Sequence, residues 1–213
     1  MLLGSTFSIL GDSYSTFEGF IPKEYSCYYP NPERGDHVLS VQDTWWYKLS
    51  KQRKMQLLVN DSYSGSTVCT QVRNNQPASA SFVARVHHSF CNNDMQPDYI
   101  FVFGGTNDSW LGRKTGQVQF ENWSEEDLAF VLPAFCYVLS QLSGTYKKAK
   151  LVTVLNTGLR PEISEGILHA SEHYGAIPVI LRDIDKQNGH PSALGMNQIT
   201  DQICEILDEN THN

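Results

Sequence analysis

Short apolar runs alternate along the chain with longer stretches in which apolar residues recur at helical spacing. The short runs are rich in Val, Ile, Leu and Phe, and they lie at residues 6–10, 56–60, 98–103, 150–155 and 177–181. Runs of this length, bounded by glycine or polar residues, are typical of buried β-strands. The pattern therefore predicts five strands.

The segments between these runs carry the start signals of helices. Ser124 is followed three residues later by Asp127, which is close to a capping-box pattern, and Pro161 and Ser192 suit the first positions of two further helices. We predict helices over residues 44–54, 80–90, 124–142, 161–175 and 192–206.

The alternation of strand and helix, with near-continuous apolar strands, predicts a parallel sheet covered by helices on both faces. One long irregular insert, residues 14–43, interrupts the alternation. We find no internal repeat, low-complexity tract or linker, so we expect one α/β domain over residues 1–213. Ligands of such sheets bind outside the carboxyl ends of the strands, so functional side chains are expected in the segments that follow the strands.

The composition excludes several classes of function. The chain of 213 residues has 16 Lys and Arg against 23 Asp and Glu, a formal net charge of −7. An acidic chain lacks the basic footprint that binding to a phosphate backbone requires, so we expect no nucleic-acid partner. No apolar run approaches the ~20 residues of a membrane span. The sequence does not indicate an oligomeric state.

The cysteines and the N-terminus favour a reducing compartment. The five cysteines show no CxxC or His-x₃₋₅-His spacing of zinc and redox sites, so we expect free thiols and no metal. One disulfide with spare thiols is the alternative. The first ten residues contain no Lys or Arg, which a secretory signal peptide requires. We expect a cytoplasmic location, unless a natural leader has been removed from the chain.

Four of the predicted strands are followed by groups suited to acyl transfer. Ser13 follows the first strand, Gly65 the second and Asn107 the third, and His190 lies between the fifth strand and the last helix. A serine hydroxyl becomes a nucleophile when a neighbouring base takes its proton, and an imidazole titrates near neutral pH. The backbone N–H groups of Ser13 and Gly65 and the Asn107 amide can bind an oxyanion.

These residues stand in four ordered blocks: Gly-Asp-Ser near the N-terminus, the glycine after the second strand, Gly-x-Asn-Asp after the third, and His-Pro before the last helix. Together the blocks resemble the SGNH hydrolases, also called the GDSL esterase/lipase family, over nearly the whole chain. The resemblance implies a flavodoxin-like three-layer α/β/α sandwich with strand order 2-1-3-4-5. It also implies Ser13 as nucleophile, His190 as base, an oxyanion hole of Ser13, Gly65 and Asn107, and no cofactor.

One position departs from the pattern of that family, which usually places an aspartate three residues before the histidine. Gln187 stands there, and Asp185 and Asp183 lie five and seven residues before His190. We expect Asp185 to complete the catalytic triad. Two alternatives stay open: Asp183 orients the histidine, or a backbone carbonyl or Gln187 does so and the site is a Ser–His dyad.

Specificity is expected to come from the loops at the catalytic edge. We expect Trp110 and Tyr14 to contact substrate and the aromatic-rich insert to form a wall or lid. The short chain favours a serine esterase for small acyl groups, acetyl above all, on a small-molecule ester such as an acetylated carbohydrate. A lysophospholipase- or thioesterase-type hydrolase, or a non-catalytic binding module on the same fold, are the alternatives.

Overall fold

The computed structural model describes residues 4–91 and 94–210. Its centre is a five-stranded parallel sheet with the strand order β2-β1-β3-β4-β5, which confirms the predicted order. The strands are β1 (Thr6–Gly11), β2 (Gln56–Ser62), β3 (Tyr99–Phe103), β4 (Lys150–Leu155) and β5 (Ile177–Ile180). All five predicted runs therefore form strands.

Helices cover both faces of the sheet and enclose two apolar cores. The first core lies under α1 (Trp45–Arg53) and α6 (Ala193–Glu209). The second lies under α2 (Phe82–Arg85), α4 (Val131–Thr145) and α5 (Pro161–His173). Because successive residues of a strand point to opposite faces, β3 supplies Phe101 to the first core and Val102 to the second.

Three predicted helices agree with α1, α5 and α6 to within about three residues, but the helix expected at residues 124–142 does not begin at Ser124. Ser124 and Asp127 do exchange the predicted capping hydrogen bonds, yet these bonds close only a single 3₁₀ turn, Asp127–Ala129. Phe130 is extended and α4 begins at Val131. The capping residues are therefore those that the sequence predicts, but the helical segment that follows them is only one turn long.

The helix expected at residues 80–90 is also shorter than predicted. α2 is followed by a π-helical turn, Val86–Phe90. Two short elements at the carboxyl edge of the sheet had no clear sequence signal. They are α3 (Thr106–Trp110) and a hairpin of β6 (Lys186–Gln187) and β7 (His190–Pro191).

The insert after β1 is part of the first core and does not stand off from the fold. Its side chains Phe17, Tyr28, Tyr29 and Val38 are buried in the same cluster as α1 and α6. The insert consequently lies across the carboxyl end of β1, against the segment that carries His190. Among residues 4–91 and 94–210, no helix combines the length and the apolar character needed to cross a membrane.

Candidate active site

The nucleophile candidate lies where β1 ends. Ser13 begins a 3₁₀ turn, Ser13–Ser15, which is capped by Asp12 because the Asp12 carboxylate accepts the Tyr14 N–H at 3.0 Å. Two indoles of α1 hydrogen-bond to this turn: Trp45 donates to the Ser15 hydroxyl at 3.1 Å, and Trp46 donates to the Ser15 carbonyl at 2.9 Å. The position of the Ser13 hydroxyl is therefore set by buried contacts.

Asp12 has a structural role in this turn, as its local hydrogen bonding indicates. Its side chain is fully buried, and burial raises its pKa to about 7. The pKa of the Asp12 carboxyl group therefore lies close to neutral pH.

The histidine comes from the other end of the chain and meets the serine directly. His190 Nε2 lies 2.9 Å from Ser13 Oγ, which is hydrogen-bond distance for a nucleophile and its base. The other ring nitrogen, Nδ1, lies 3.3 Å from the backbone carbonyl of Asn188. This contact fits the tautomer with hydrogen on Nδ1, which leaves Nε2 free to accept the serine proton.

The structure does not bring Asp185 to His190, contrary to the expectation of a triad. The Asp185 carboxylate accepts a hydrogen bond from the Ser192 hydroxyl, which also caps α6 by accepting the Gly195 N–H. Asp183 is exposed in a left-handed backbone conformation. The physical reason is the β6–β7 hairpin, which turns the chain at Asn188 and Gly189 and places a carbonyl against the imidazole.

The surroundings of His190 disfavour its charged form. Burial lowers the pKa of His190 to about 4, and the positive charges of Arg34, Lys186 and Arg73 act in the same direction. His190 is thus neutral at pH 7 and able to accept a proton. We refer to Arg34, Arg73 and Lys186 as the cationic cluster.

Aromatic rings surround the imidazole. The Tyr28 ring of the insert stacks on His190 with centroids 3.6 Å apart and planes 10° apart. Trp110 meets the imidazole edge-on at 5.8 Å and is 48% exposed, so it borders the opening of the site; its contact with substrate stays a prediction. Tyr28 was not singled out by the sequence.

Tyr14 lies behind the site, although we expected it to contact substrate. Its side chain is fully buried, its hydroxyl donates to the Gly189 carbonyl at 2.5 Å, and it accepts the Asn156 amide at 3.1 Å. Asn156 in turn accepts the Lys186 ammonium at 2.9 Å. Tyr14 therefore positions the hairpin of His190, and substrate cannot reach its ring.

The three predicted oxyanion donors follow neighbouring strands of the sheet, and Arg73 contacts both the Gly65 and the Asn107 segments. The N–H groups of Ser13 and Gly65 have no hydrogen-bond acceptor in the part of the chain that the structure describes, so both remain free for a ligand. Gly65 has φ +83°, a left-handed conformation that glycine adopts without strain. Asn107 Nδ2 donates one hydrogen to the Ser66 carbonyl at 2.9 Å, which leaves its second hydrogen available.

Arg73 is a site residue that carries no signal in the sequence. Its guanidinium donates to Asn107 Oδ1 at 2.8 Å, and its Nε lies 3.4 Å from the place a Cβ on Gly65 would take. Arg73 thereby fixes the orientation of the Asn107 amide: the oxygen faces Arg73, and the nitrogen faces the Ser66 carbonyl.

Two further buried groups hold the loops that carry these donors. Asp108 accepts the N–H groups of Val68 and Cys69 at 2.8 and 3.2 Å. Arg85 forms a buried ion pair with Asp61 at 2.7 Å and also donates to the Gly11 carbonyl at 2.9 Å. These bonds join the ends of β1 and β2 to the loops of Gly65 and Asn107, so the edge is preorganised.

No metal site accompanies this arrangement in residues 4–91 and 94–210, since no three His, Cys, Asp or Glu side chains come together there as ligands. All five cysteines are free thiols.

Comparison with known proteins points in the same direction as the geometry. The sequence pattern of the GDSL-like lipase/acylhydrolase family matches residues 5–207. None of the curated proteins matches the chain in sequence. Among solved structures, a protein from Bacteroides ovatus ATCC 8483, named as a GDSL-like lipase, is similar with a TM-score of 0.89 and 40% identity. That match covers 97% of this chain and 99% of the other.

Two further structures extend the comparison. A protein from Bacteroides uniformis ATCC 8492, also named as a GDSL-like lipase, has a TM-score of 0.89 and 41% identity over 97% of this chain and 96% of its own. An acetyl xylan esterase from Butyrivibrio proteoclasticus has a TM-score of 0.58 and 16% identity over 99% of this chain and 65% of its own, which shows a shared fold. The chain belongs to the GDSL-like lipase/acylhydrolase family and is an ester-hydrolysing serine hydrolase.

Proposed function

We propose that the protein is a serine esterase that removes small acyl groups, acetyl in particular, through an acyl-enzyme on Ser13. The observation that carries this proposal is the 2.9 Å contact between Ser13 Oγ and His190 Nε2, at an edge where Gly65 and Asn107 offer free donors. The other hydroxyl–imidazole contact given for the described residues joins His87 to the phenol of Tyr137, on the surface of the chain.

The reaction follows from the positions of these groups. His190 Nε2 takes the Ser13 proton as Oγ attacks the ester carbonyl, and the resulting oxyanion accepts the N–H groups of Ser13 and Gly65 and the Asn107 amide. His190 then gives its proton to the leaving alcohol, and the acyl group stays on Ser13. Water, deprotonated by His190, hydrolyses this acyl-enzyme and regenerates the serine.

Without a carboxylate on Nδ1, the Asn188 carbonyl orients the imidazole, so the proposed machinery is a Ser–His dyad. A neutral carbonyl keeps the ring in place, but it stabilises the imidazolium less than a carboxylate does. The buried turn beneath Ser13 and the prearranged donors have to compensate for this.

The proposed alcohol portion is a carbohydrate. The insert forms an open groove of about 640 Å³ whose lining includes Tyr25 and Tyr28, and the Tyr28 ring joins this groove to His190. The exposed indole of Trp110 lies against the imidazole and offers an aromatic surface that suits a sugar ring.

A series of p-nitrophenyl esters from acetate to decanoate, assayed beside acetylated monosaccharides, tests the proposal. We expect kcat/KM to be highest for acetate and to fall with acyl length, and Ser13→Ala to abolish turnover. Ser164→Ala, which removes a hydroxyl from α5, is the matched control and should retain activity. A sulfonyl fluoride should modify only the peptide that contains Ser13.

Three results would contradict the proposal. A Ser13→Ala protein with normal turnover removes the nucleophile assignment. A wild-type protein that binds acetylated sugars but hydrolyses none of these esters favours the non-catalytic binding module. A kcat/KM that rises with acyl length favours a lysophospholipase-type hydrolase instead.

A further inference from the structure

The imidazole of His190 lies among cations and has no carboxylate partner. Among the described residues, neither Arg34 nor Arg73 nor Lys186 forms an ion pair, although the chain as a whole carries a net charge of −7. Lys186 and Arg73 are held by neutral groups: Lys186 by Asn156 and Thr157, and Arg73 by Asn107. The carboxyl group of Asp12 acts electrostatically on Lys186, but Arg34 and Arg73 have no carboxylate partner among the described residues, so positive charge at the catalytic edge is only partly compensated.

The carboxylates of the adjoining segments are engaged elsewhere. Asp12 lies beneath Ser13 with a pKa raised to about 7 by burial, so it is only partly charged at neutral pH. Asp36 is fully buried and accepts the Val38 N–H at 3.0 Å. Asp185 is bound by the Ser192 hydroxyl. Each of the three accepts a hydrogen bond from within the fold, and none forms an ion pair among the described residues.

Arg34 is the member of the cationic cluster that solvent and substrate can reach. Its side chain is exposed, and the centre of its guanidinium lies 4.7 Å from the Tyr28 ring centroid. The Tyr28 ring is in turn stacked on His190 at 3.6 Å. One aromatic ring thus separates the exposed guanidinium from the catalytic imidazole, and Arg73 lies near Asn107 in the oxyanion hole.

We propose that the preferred substrates of this site are esters that carry a carboxylate near the scissile bond, which binds at Arg34 and within the field of Arg73. The inference rests on the proposed esterase function and deepens it by naming the substrate class. The carboxylate belongs either to the acyl group, as in a half-ester of a dicarboxylic acid, or to the alcohol, as in an acetylated sugar acid.

The physical argument joins binding and catalysis. An exposed guanidinium binds a carboxylate through charge-assisted hydrogen bonds, with a geometry that matches its planar fork. The same negative charge offsets the repulsion between the cationic cluster and the imidazolium that forms when Ser13 is acylated. The substrate would then provide the countercharge that Asp185 does not provide.

Matched pairs of substrates test the proposal and distinguish its two forms. On the acyl side, p-nitrophenyl hemisuccinate is compared with the p-nitrophenyl ester of monomethyl succinate. On the alcohol side, meta-acetoxybenzoate is compared with its methyl ester. Each kcat/KM is divided by the spontaneous hydrolysis rate at the same pH, because the carboxylate also changes intrinsic reactivity.

We expect the anionic member of at least one pair to be favoured by about tenfold or more, which corresponds to one charge-assisted hydrogen bond. The preference should weaken with added salt, because the guanidinium is exposed. The pair that shows it identifies the side of the ester that carries the charge.

Variants then assign the preference to the cluster. Arg34→Gln should reduce the ratio of anionic to neutral kcat/KM about tenfold, and Arg34→Lys should reduce it less. Lys148→Gln, which removes the same charge from the turn before β4 at the opposite edge of the sheet, is the control and should leave the ratio unchanged. Circular dichroism should show all three variants folded, since both side chains are exposed.

The outcomes separate this inference from the proposed function. Equal hydrolysis of both members of both pairs overturns the anionic substrate class and leaves the esterase standing. A preference that survives both Arg34→Gln and Arg73→Gln also overturns the inference. If all four esters remain uncleaved while both Bacteroides relatives cleave them, the proposed function fails first.

Discussion

His190 Nδ1 faces the carbonyl oxygen of Asn188 at 3.3 Å, where an esterase with a full triad would place a carboxylate. The hydroxyl of Ser192 engages the Asp185 carboxylate at the start of α6. The Asp185 carboxylate therefore supports the Ser192 cap of α6, and the Asn188 carbonyl orients the imidazole of His190.

The first prediction concerns this division. Asp185→Asn should keep kcat/KM within about fivefold of the wild type, because asparagine can still accept the Ser192 hydroxyl and the Asn188 carbonyl is untouched. Loss of a triad carboxylate costs ~10⁴ in kcat elsewhere, so the two cases are easily told apart. Gln187→Ala, assayed in parallel, should be equally mild. A thousandfold loss of kcat/KM in Asp185→Asn at unchanged Tm would show that Asp185 completes a catalytic triad.

The pH dependence of activity gives the second prediction. Because burial lowers the pKa of His190 to about 4, the base stays unprotonated well below neutrality. For a neutral ester, kcat/KM should be nearly constant from pH 7 to 5 and fall only as the pH approaches about 4. An acid limb near pH 6.5, the ordinary value for histidine, would contradict this.

Stability has to be followed over the same range. A histidine whose pKa is lowered on folding takes up its proton more readily in the unfolded chain, so the free energy of unfolding falls as the pH drops from 6.5 to 4. Circular dichroism at each pH separates loss of fold from protonation of the base.

The third prediction is that Arg73 acts through Asn107 as a positioning residue. Arg73→Met removes the donor that fixes Asn107 Oδ1 and should lower kcat about tenfold with little change in KM, less than the 10²–10³ expected for loss of an oxyanion donor itself. It should also move the acid limb to higher pH, because one of the charges that lower the pKa of His190 is gone.

Two comparisons make the role of Arg73 specific. Arg73→Lys keeps the charge and should leave the acid limb in place while kcat still falls. In Asn107→Ala the second substitution Arg73→Met should cost little more, because the amide that it orients is absent. Fully additive losses in kcat would place Arg73 outside the oxyanion hole.

The strands could be predicted from the sequence because each depends on local pattern. Ser13, Gly65, Asn107 and His190 each follow a strand, so the topology of a parallel sheet predicts that they lie at one edge, and Ser13 and His190 do meet there. The triad assignment depended on counting residues back from His190. The two-residue strands of the hairpin carry no periodic signal, and their direction decides which group faces the imidazole.

Arg73, Tyr28 and Arg85 were beyond reach of the sequence for a related reason. The first two lie in irregular segments, and their partners Asn107 and His190 are 34 and 162 residues away, so no spacing rule connects them. Arg85 lies on the apolar helix α2, and its partner Asp61 is 24 residues away at the end of β2, so no spacing rule connects this pair either.

The fourth prediction uses Gly65. A Cβ there would lie 2.7 Å from Gln76 Nε2, which itself donates to the Ser64 carbonyl, and φ is +83°. Gly65→Ala should therefore displace the oxyanion N–H and lower kcat at least tenfold, besides a loss of stability of ~1 kcal/mol from the left-handed backbone. Steady-state kinetics and urea unfolding measure the two effects.

Gly175→Ala is the matched control for Gly65. Gly175 has φ +63°, no atom lies within 4 Å of its virtual Cβ, and it precedes β5 at the edge away from the site. It should show the same loss of stability with unchanged kcat. If Gly65→Ala matches this control in both respects, the Gly65 N–H does not take part in catalysis.

The fifth prediction concerns Asp12, whose pKa is raised on folding from 3.8 to about 7 because its carboxyl group is buried. The folded chain then binds this proton more tightly than the unfolded chain. The stability it contributes is complete below pH 3.8 and is lost as the pH rises through about 7. Asp12→Asn cannot ionise and keeps an oxygen for the Tyr14 N–H, so its stability should lack this component.

Thermal unfolding of both proteins from pH 5 to 8 measures the difference. The Tm of the wild type should fall relative to that of Asp12→Asn as the pH rises, by an amount on the order of 2 kcal/mol in unfolding free energy. Burial also raises the pKa of Asp108, and the charge of Asp108 contributes to the raised pKa of Asp12, so the comparison measures Asp12 together with this coupling. If Tm changes with pH in the same way in both proteins, Asp12 is ionised over the whole range. Its negative charge would then partly neutralise the cationic cluster around His190.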